Sequence, residues 1–429
     1  MELRAAPELR IAMYKPVFFH VDVNSAFLSF EAAYETRILG HDLDIRNIPS
    51  VIGGNQATRH GIVLAKSQPA KKYGIKTGEP LVDARSKCPG LLVIPPDYSV
   101  YVECSRRFME LLRRFSPHAE QYSIDEAFCD FTGTEGLYGA PVVFANELRE
   151  MIREELGFTV NIGVSSNKLL AKMASDFKKP DRVHTLFPDE IPDKMWPLPV
   201  GDLFYVGHAT ERKRNTLGIT TIGELANTPV EILRPVFRSF ADVIVSYANG
   251  LDLVISTSNT AANKGYGNSA TIHYDVTDRG DAKQVLLSLS ETVGMRIRAD
   301  DAFISVVAVS ITDMDFNHIS AQMTLPSPTD ITEKIYAAAC RVFDTLWKLQ
   351  PIRQLGVHTS KVCRNNGYQY SLFDGVDHEK LIGLDHAIDE IRKVYGEDSV
   401  MRACFLKSCH NHMSGGISKD RRNGITKAV

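Results

Sequence analysis

The sequence predicts a multidomain protein of mixed strand and helix, with an α/β or α+β unit first and a smaller α+β unit later. Three observations carry this. The 429 residues exceed one ordinary core, so roughly two to four domains are expected. Residues 17–177 alternate short apolar, β-branched runs with helical periodicities. Residues 270–362 mix strands and helices again, after a breaker-rich junction (Pro192, Pro197, Pro199) and a polar stretch, STSNTAANKGYGNS at 256–269, that reads as a linker.

Taken in order, VFFHVDV at 17–23 is a buried strand ending at an acid, and 25–39 is a helix with Phe27, Phe30 and Ala33 among its apolar positions. Strand-like runs fill 48–66 around a Gly53-Gly54 turn, and a basic segment broken by Gly and Pro follows. Residues 98–115 have helical periodicity, which Pro117 breaks. A second acid-bearing strand spans about 120–131, QYSIDEAFCDFT. A helix at 141–156, a strand at 159–165 and a helix at 167–177 complete this unit. Short helices punctuated by Gly fill 200–250. In the last unit helices are expected near 281–299 and 329–348, and strands near 303–312 and 319–325. A loop, NNGYQYSLFDG, precedes a helix at 378–395, and the last fifteen residues read as disordered.

Composition is that of a soluble globular protein, 44% hydrophobic and 24% charged. A net charge of -3 is mild evidence against a nucleic-acid binder, although only the binding groove must be positive. The seven cysteines are scattered with no CxxC pair, which argues for a reducing cytoplasm and against a disulfide scaffold. MELRAAPELRIAMYK has no apolar core, so no secretory signal is expected. No apolar run approaches the roughly 20 residues of a membrane span. The expected location is cytoplasmic, with no membrane partner.

Asp22 ends the first strand, and Asp125 and Glu126 lie in the second. Acids on apolar strands are costly unless paired or metal-bound. Two-metal phosphoryl transfer needs such oxygen ligands on a rigid frame. The alternative makes Asp22 a helix cap and the other two exposed strand residues, and pattern alone does not choose.

The wording of the motifs does choose. FHVDVNSAFLSFE and YSIDEAFCD closely resemble the two metal-binding motifs of Y-family DNA polymerases, the low-fidelity lesion-bypass class. The likeness runs from about residue 17 to 373, and YSIDEAFCD with the long tail points to the UmuC-like branch rather than the DinB-like one. The resemblance implies that Asp22, the carbonyl of Val23, Asp125 and Glu126 hold two Mg²⁺ ions together with the triphosphate. It makes Phe27, five residues after Asp22, a steric gate against the ribose hydroxyl, where the plain alternative is a core aromatic. AKSQPAKKYGIKTGEP resembles the fingers segment that holds the triphosphate, with Gln68 and Lys71 where the family usually has Tyr and Arg. A lysine there is a point charge without the bidentate fork of arginine. In NKLLAKMASDFKKP, Lys179 aligns with a triphosphate-contacting lysine, with Lys178 adjacent to it.

LPVGDLFYVGHATERKRNTLGI at 198–219 resembles a helix-hairpin-helix, whose Gly207 turn would bind a DNA phosphate without reading sequence. KGYGNS, with Gly267 and Asn268, resembles the start of the little finger, which lies on the DNA backbone. QYSLF at 369–373 resembles the peptide by which bacterial polymerases dock on the sliding clamp, with Gln369 as polar anchor and Leu372 and Phe373 as plug. Cys404, Cys409, His410 and His412 can ligate metal but fit no usual zinc spacing.

The resemblance therefore implies an α+β right hand. Its palm is 14–27 and 90–186, its fingers 28–89, its thumb 187–255 and its little finger 263–364, followed by a tail at 365–429. It implies an enzyme that extends primer-template DNA, damaged templates included, from dNTPs in error-prone translesion synthesis. SOS accessory subunits come into view with the UmuC-like branch. The rivals are a catalytically silent DNA-binding or scaffold protein on this fold and another two-metal enzyme such as a nucleotide cyclase.

Overall fold

The computed structural model describes residues 15–55, 59, 61–206, 218–252, 263–364 and 378–414. Their strands form three sheets. The first runs β5–β6–β1–β7–β8, with β1 (Phe18–Val23), β5 (Ala119–Gln121), β6 (Glu126–Asp130), β7 (Val160–Ser165) and β8 (Val183–Thr185). β1 lies at its centre, antiparallel to both β6 and β7, and only the β7–β8 pair is parallel. Being central, β1 is buried on both faces, which explains its unbroken apolar run and makes Asp22 conspicuous. Helices α1 (Ala26–Arg37), α2 (Tyr98–Phe115) and α3 (Pro141–Leu156) help build the core, with Phe19, Phe30, Tyr101, Phe108 and Phe158 fully buried.

Helix α4 (Lys168–Asp176) lies on β7, and Gly163 is what lets it in. A Cβ at that position would come within 1.9 Å of the Ala171 carbonyl oxygen. The same approach lets the Ser175 hydroxyl meet His20 Nδ1 at 2.8 Å. Asn167 caps the helix by accepting from the Leu170 N–H at 2.8 Å. The other side of α4 gives Leu169, Leu170 and Met173 to a separate core with the helices Ile222–Ala226, Val230–Phe237 and Phe240–Ala248.

A small sheet, β3–β2–β4, contains β2 (Ser50–Gly53), β3 (Val63–Lys66) and β4 (Leu92–Ile94). The last sheet, β11–β10–β12–β9, is antiparallel throughout, with β9 (Gly267–Val276), β10 (Ala302–Asp313), β11 (His318–Thr329) and β12 (Ile352–Arg364). It packs on α5 (Arg279–Ala299) and α6 (Thr332–Leu346). The class is α+β.

Some elements differ from expectation. The single strand expected over 120–131 is two, β5 and β6, joined by a tight turn in which the Tyr122 and Ser123 N–H groups both donate to the Glu126 carbonyl, at 2.9 and 3.2 Å. Asp125 therefore sits in the turn, and Glu126 opens β6. The stretch 256–269 ends inside β9, because its last residues pair with β12. β12, with polar residues scattered through it, carries no clear sequence signal yet holds β9 and β10 together.

The expected tail is folded over residues 378–414. Its helix α7 (His378–Tyr395) docks on the last domain through buried ion pairs, Arg298 with Asp385 (3.1 Å) and Asp389 (2.5 Å), and Arg392 with Glu291 (2.8 Å). Among the described residues no helix is long and apolar enough to cross a membrane.

Candidate active site

Sheet register brings together acids that lie far apart in the chain. Asp22 on β1 pairs directly across from Glu126 on β6. The Val23 N–H donates to the Asp125 carbonyl at 3.0 Å, which holds the turn against the end of β1. Ser123 Oγ donates to Asp125 Oδ1 at 2.6 Å and orients that carboxylate. Sequence reading missed Ser123, although its place two residues before the Asp is a turn signal.

Asp22 and Glu126 are each matched by a lysine from α4 or the segment after it. Lys179 Nζ donates to Asp22 Oδ2 at 2.7 Å and also meets Asp176 at 2.8 Å. Lys172 Nζ donates to Glu126 Oε1 at 2.7 Å. Burial pushes the Asp22 carboxyl up to about 6; Lys179 opposes the rise and Glu126 adds to it. Burial alone would lower the Lys179 ammonium, but Asp22 and Asp176 hold it above its ordinary value. The neighbouring Lys178 has its main-chain carbonyl tied to Asn161 Nδ2 at 3.0 Å.

These groups open on a cleft of about 450 Å³, within the range of roughly 300–1,000 Å³ typical of small-molecule sites. Asp22, Val23, Asp125, Glu126 and Lys179 line it together with Lys66, Gln68 and Lys71. Gln68 and Lys71 stand on a one-turn helix, Gln68–Lys72, whose start is capped by Ser67 Oγ accepting from the Ala70 N–H at 3.1 Å. Lys66, missed in the sequence because it reads as strand, reaches Thr77 Oγ1 at 3.4 Å. Phe27 forms part of the floor, half-buried, its ring stacked on Tyr101 at 4.8 Å and 13° with Tyr98 edge-on at 5.6 Å.

Among the described residues no three His, Cys, Asp or Glu side chains already stand together as a metal-holding group. Asp22 and Glu126 each bond a separate lysine, Lys179 and Lys172. The donor chemistry nevertheless fits a hard divalent cation. It consists of carboxylate oxygens, two on facing strands, and burial and mutual repulsion raise the cost of leaving them without positive charge.

Gly267 and Asn268 open β9 at the edge of the last sheet and are not among the residues lining the cleft; Arg296 Nη1 donates to the Gly267 carbonyl (3.1 Å) and Asn268 Oδ1 (2.7 Å). Gly207, Gln369, Leu372 and Phe373 lie outside the described residues. His410 binds Asp281 of α5 (2.5 Å) and so helps dock the C-terminal segment, while His412 binds Asp398 within that segment (2.9 Å).

Residues 21–176 match the impB/mucB/samB family, 263–372 match that family's C-terminal domain, and 188–219 match the HHH motif of the IMS family. DNA polymerase IV of Clostridium acetobutylicum is 46% identical over 392 residues, covering 91% of this chain and 98% of that protein. DNA polymerase IV of Moorella thermoacetica is 38% identical over 388 residues, covering 90% and 95%. Among solved structures, a Y-family DNA polymerase chimera superposes with a TM-score of 0.67 at 21% identity, covering 81% of this chain and all of that one (100%), a likeness of fold. These DNA polymerase IV relatives correct one expectation: the branch is DinB-like, not the UmuC-like one read from YSIDEAFCD and the tail.

Proposed function

The chain belongs to the Y family of DNA polymerases, on its DinB-like branch, and from that premise we propose that it copies damaged templates with low fidelity by two-metal nucleotidyl transfer. It is a DNA polymerase of the right-hand architecture, and so binds DNA and dNTPs. The observation that carries the proposal is the pairing of Asp22 and Glu126 across adjacent strands, in a cleft also lined by Lys66, Gln68 and Lys71.

Asp22, the Val23 carbonyl, Asp125 and Glu126 are the proposed holders of two Mg²⁺ ions. When bound, these ions would activate the primer 3′-hydroxyl and neutralise charge on the phosphates. The chain's own residues do the rest. Sheet register fixes the backbones of Asp22 and Glu126 side by side, so the two carboxylates start from neighbouring positions. Gln68, Lys71 and Lys179 bind phosphate oxygens; Lys179, already poised on Asp22, exchanges a carboxylate for a phosphate. Phe27 presents a rigid apolar ring to the sugar. Gly207, Gly267 and Asn268 are proposed to lie on the DNA backbone, and Gln369, Leu372 and Phe373 to dock on a sliding clamp. The proposed fingers segment, 28–89, is short and would close little material over the base pair, which favours tolerance of distorted bases over selectivity. The proposed location is the cytoplasm. The expectation of accessory subunits came with the UmuC-like branch and is not carried forward.

Primer extension by the purified chain with Mg²⁺, on undamaged and damaged templates, tests the reading. Extension past a lesion with frequent misincorporation supports it. DNA binding without extension would favour a silent scaffold instead.

A further inference from the structure

Glu126 is held by a lysine of a different kind from the one on Asp22. Lys179 is 36% exposed and divided between Asp22 and Asp176, so it can leave for a phosphate. The Lys172 side chain is only 9% exposed. Its Nζ lies 5.5 Å from the centre of the Tyr122 ring and 5.3 Å from that of Phe204, while donating to Glu126 Oε1 at 2.7 Å. An ammonium boxed by one carboxylate and two ring faces has nowhere equivalent to go. It pins one oxygen of Glu126, and Oε2, which among the described residues takes just a long contact of 3.5 Å from Ser123 Oγ, remains for a cation.

The box has walls from two parts of the chain. Tyr122 belongs to the turn that carries Asp125. Phe204 lies beyond α4, at the start of the segment that leads to the helices Ile222–Ala226, Val230–Phe237 and Phe240–Ala248. Its N–H meets Met173 Sδ at 3.4 Å, and its ring packs against Tyr205 (4.1 Å) and Tyr122 (6.2 Å). Neighbouring residues of α4 therefore face opposite tasks, with Met173 in the helical core and Lys172 on the acid.

We propose that Lys172 is a positioning residue for Glu126, and that Phe204 completes its seat, so that docking of the thumb-side segment sets the aim of an active-site carboxylate. The inference rests on the reading of Asp22, Asp125 and Glu126 as the polymerase site.

Two measurements test it. The first needs neither metal nor activity. In metal-free, [¹³C]lysine-labelled protein, the Lys172 ε-methylene resonances should be shifted upfield by the rings. The shift should shrink in Phe204→Leu and move in Glu126→Gln. The second is single-nucleotide incorporation per active site, titrated by burst amplitude. Lys172→Met should lower kcat about tenfold or more, since a misaim near 1 Å can cost on the order of 100-fold. The dNTP KM and DNA Kd should stay within about twofold. Lys172→Arg, which keeps the charge, should recover part of the loss, and Phe204→Leu should lower kcat in the same pattern.

Unshifted Lys172 resonances, or an unchanged kcat per active site, would overturn the inference. A raised KM or Kd at constant kcat would also overturn it, by making Lys172 a ligand contact. Should Lys172→Met not fold, Lys172→Arg and Phe204→Leu carry the same test. An inactive wild-type chain would speak against the polymerase site while the resonance shift still decides the seat.

Discussion

Replacing Phe27 by Ala separates a sugar gate from a core aromatic. The ring is half-buried, faces the cleft and stacks on Tyr101 at 4.8 Å. Deoxyribose carries no group that could be recognised at the position where ribose has a hydroxyl, so selection must be exclusion. Forcing extra atoms against a packed group costs about 1–3 kcal/mol. At 1.4 kcal/mol per tenfold, that corresponds to discrimination of roughly 5- to 150-fold. Removing the ring should raise the ratio of rNTP to dNTP incorporation efficiency by about that factor. Truncating a fully buried Phe costs about 3–5 kcal/mol, and with half the ring in the cleft a loss nearer 2 kcal/mol is expected. The assay is kcat/KM for a matched rNTP and dNTP on protein first shown folded by its unfolding curve. A ratio equal to that of the wild type, in folded protein, would return Phe27 to the role of a core residue braced on Tyr101 and Tyr98.

Other outcomes follow from the same geometry. Asp22→Ala, Asp125→Ala and Glu126→Ala should each nearly abolish incorporation while DNA binding, read by anisotropy, persists; wild-type rates in Asp125→Ala would disprove its metal role. Glu31, buried on α1, has its carboxyl pushed up to about 7 by burial, with Asp97 and Glu35 adding to the rise against the pull of Tyr101. A raised acid keeps its proton longer in the folded state, so its share of stability is full below the unfolded value near 4.5 and is lost as pH rises to about 7. At about 1.4 kcal/mol per unit the ceiling is roughly 3 kcal/mol, and Glu31→Gln should flatten the urea-midpoint profile between those pH values; an unaltered slope would show the charge is already accommodated. Replacing Gln369, Leu372 and Phe373 by Ala should leave distributive synthesis intact and remove stimulation by a bacterial sliding clamp, and equal stimulation of the two proteins would reject docking there.

Much of this protein could be read without coordinates. Asp22 stood out because an acid ends an apolar strand, and the helices at 98–115, 141–156 and 378–395 coincide with the observed ones, since periodicity and breakers are local signals. The family was legible in FHVDVNSAFLSFE and YSIDEAFCD, although YSIDEAFCD and the long tail misled about the branch. What the chain could not disclose is whatever depends on distant segments meeting. No local feature says that Glu126 opens a strand exactly opposite Asp22, because register is decided by which side chains the whole sheet can bury. Helix α7 read as part of a tail, since the partners of its charges, Arg298 and Glu291, lie about a hundred positions upstream. Lys172 looked like one more lysine in a helix. Only the packing of α4 over Gly163, with Tyr122 and Phe204 closing around it, turns that lysine into a buried charge that must be paired, and pairing across a core is a property of the folded chain.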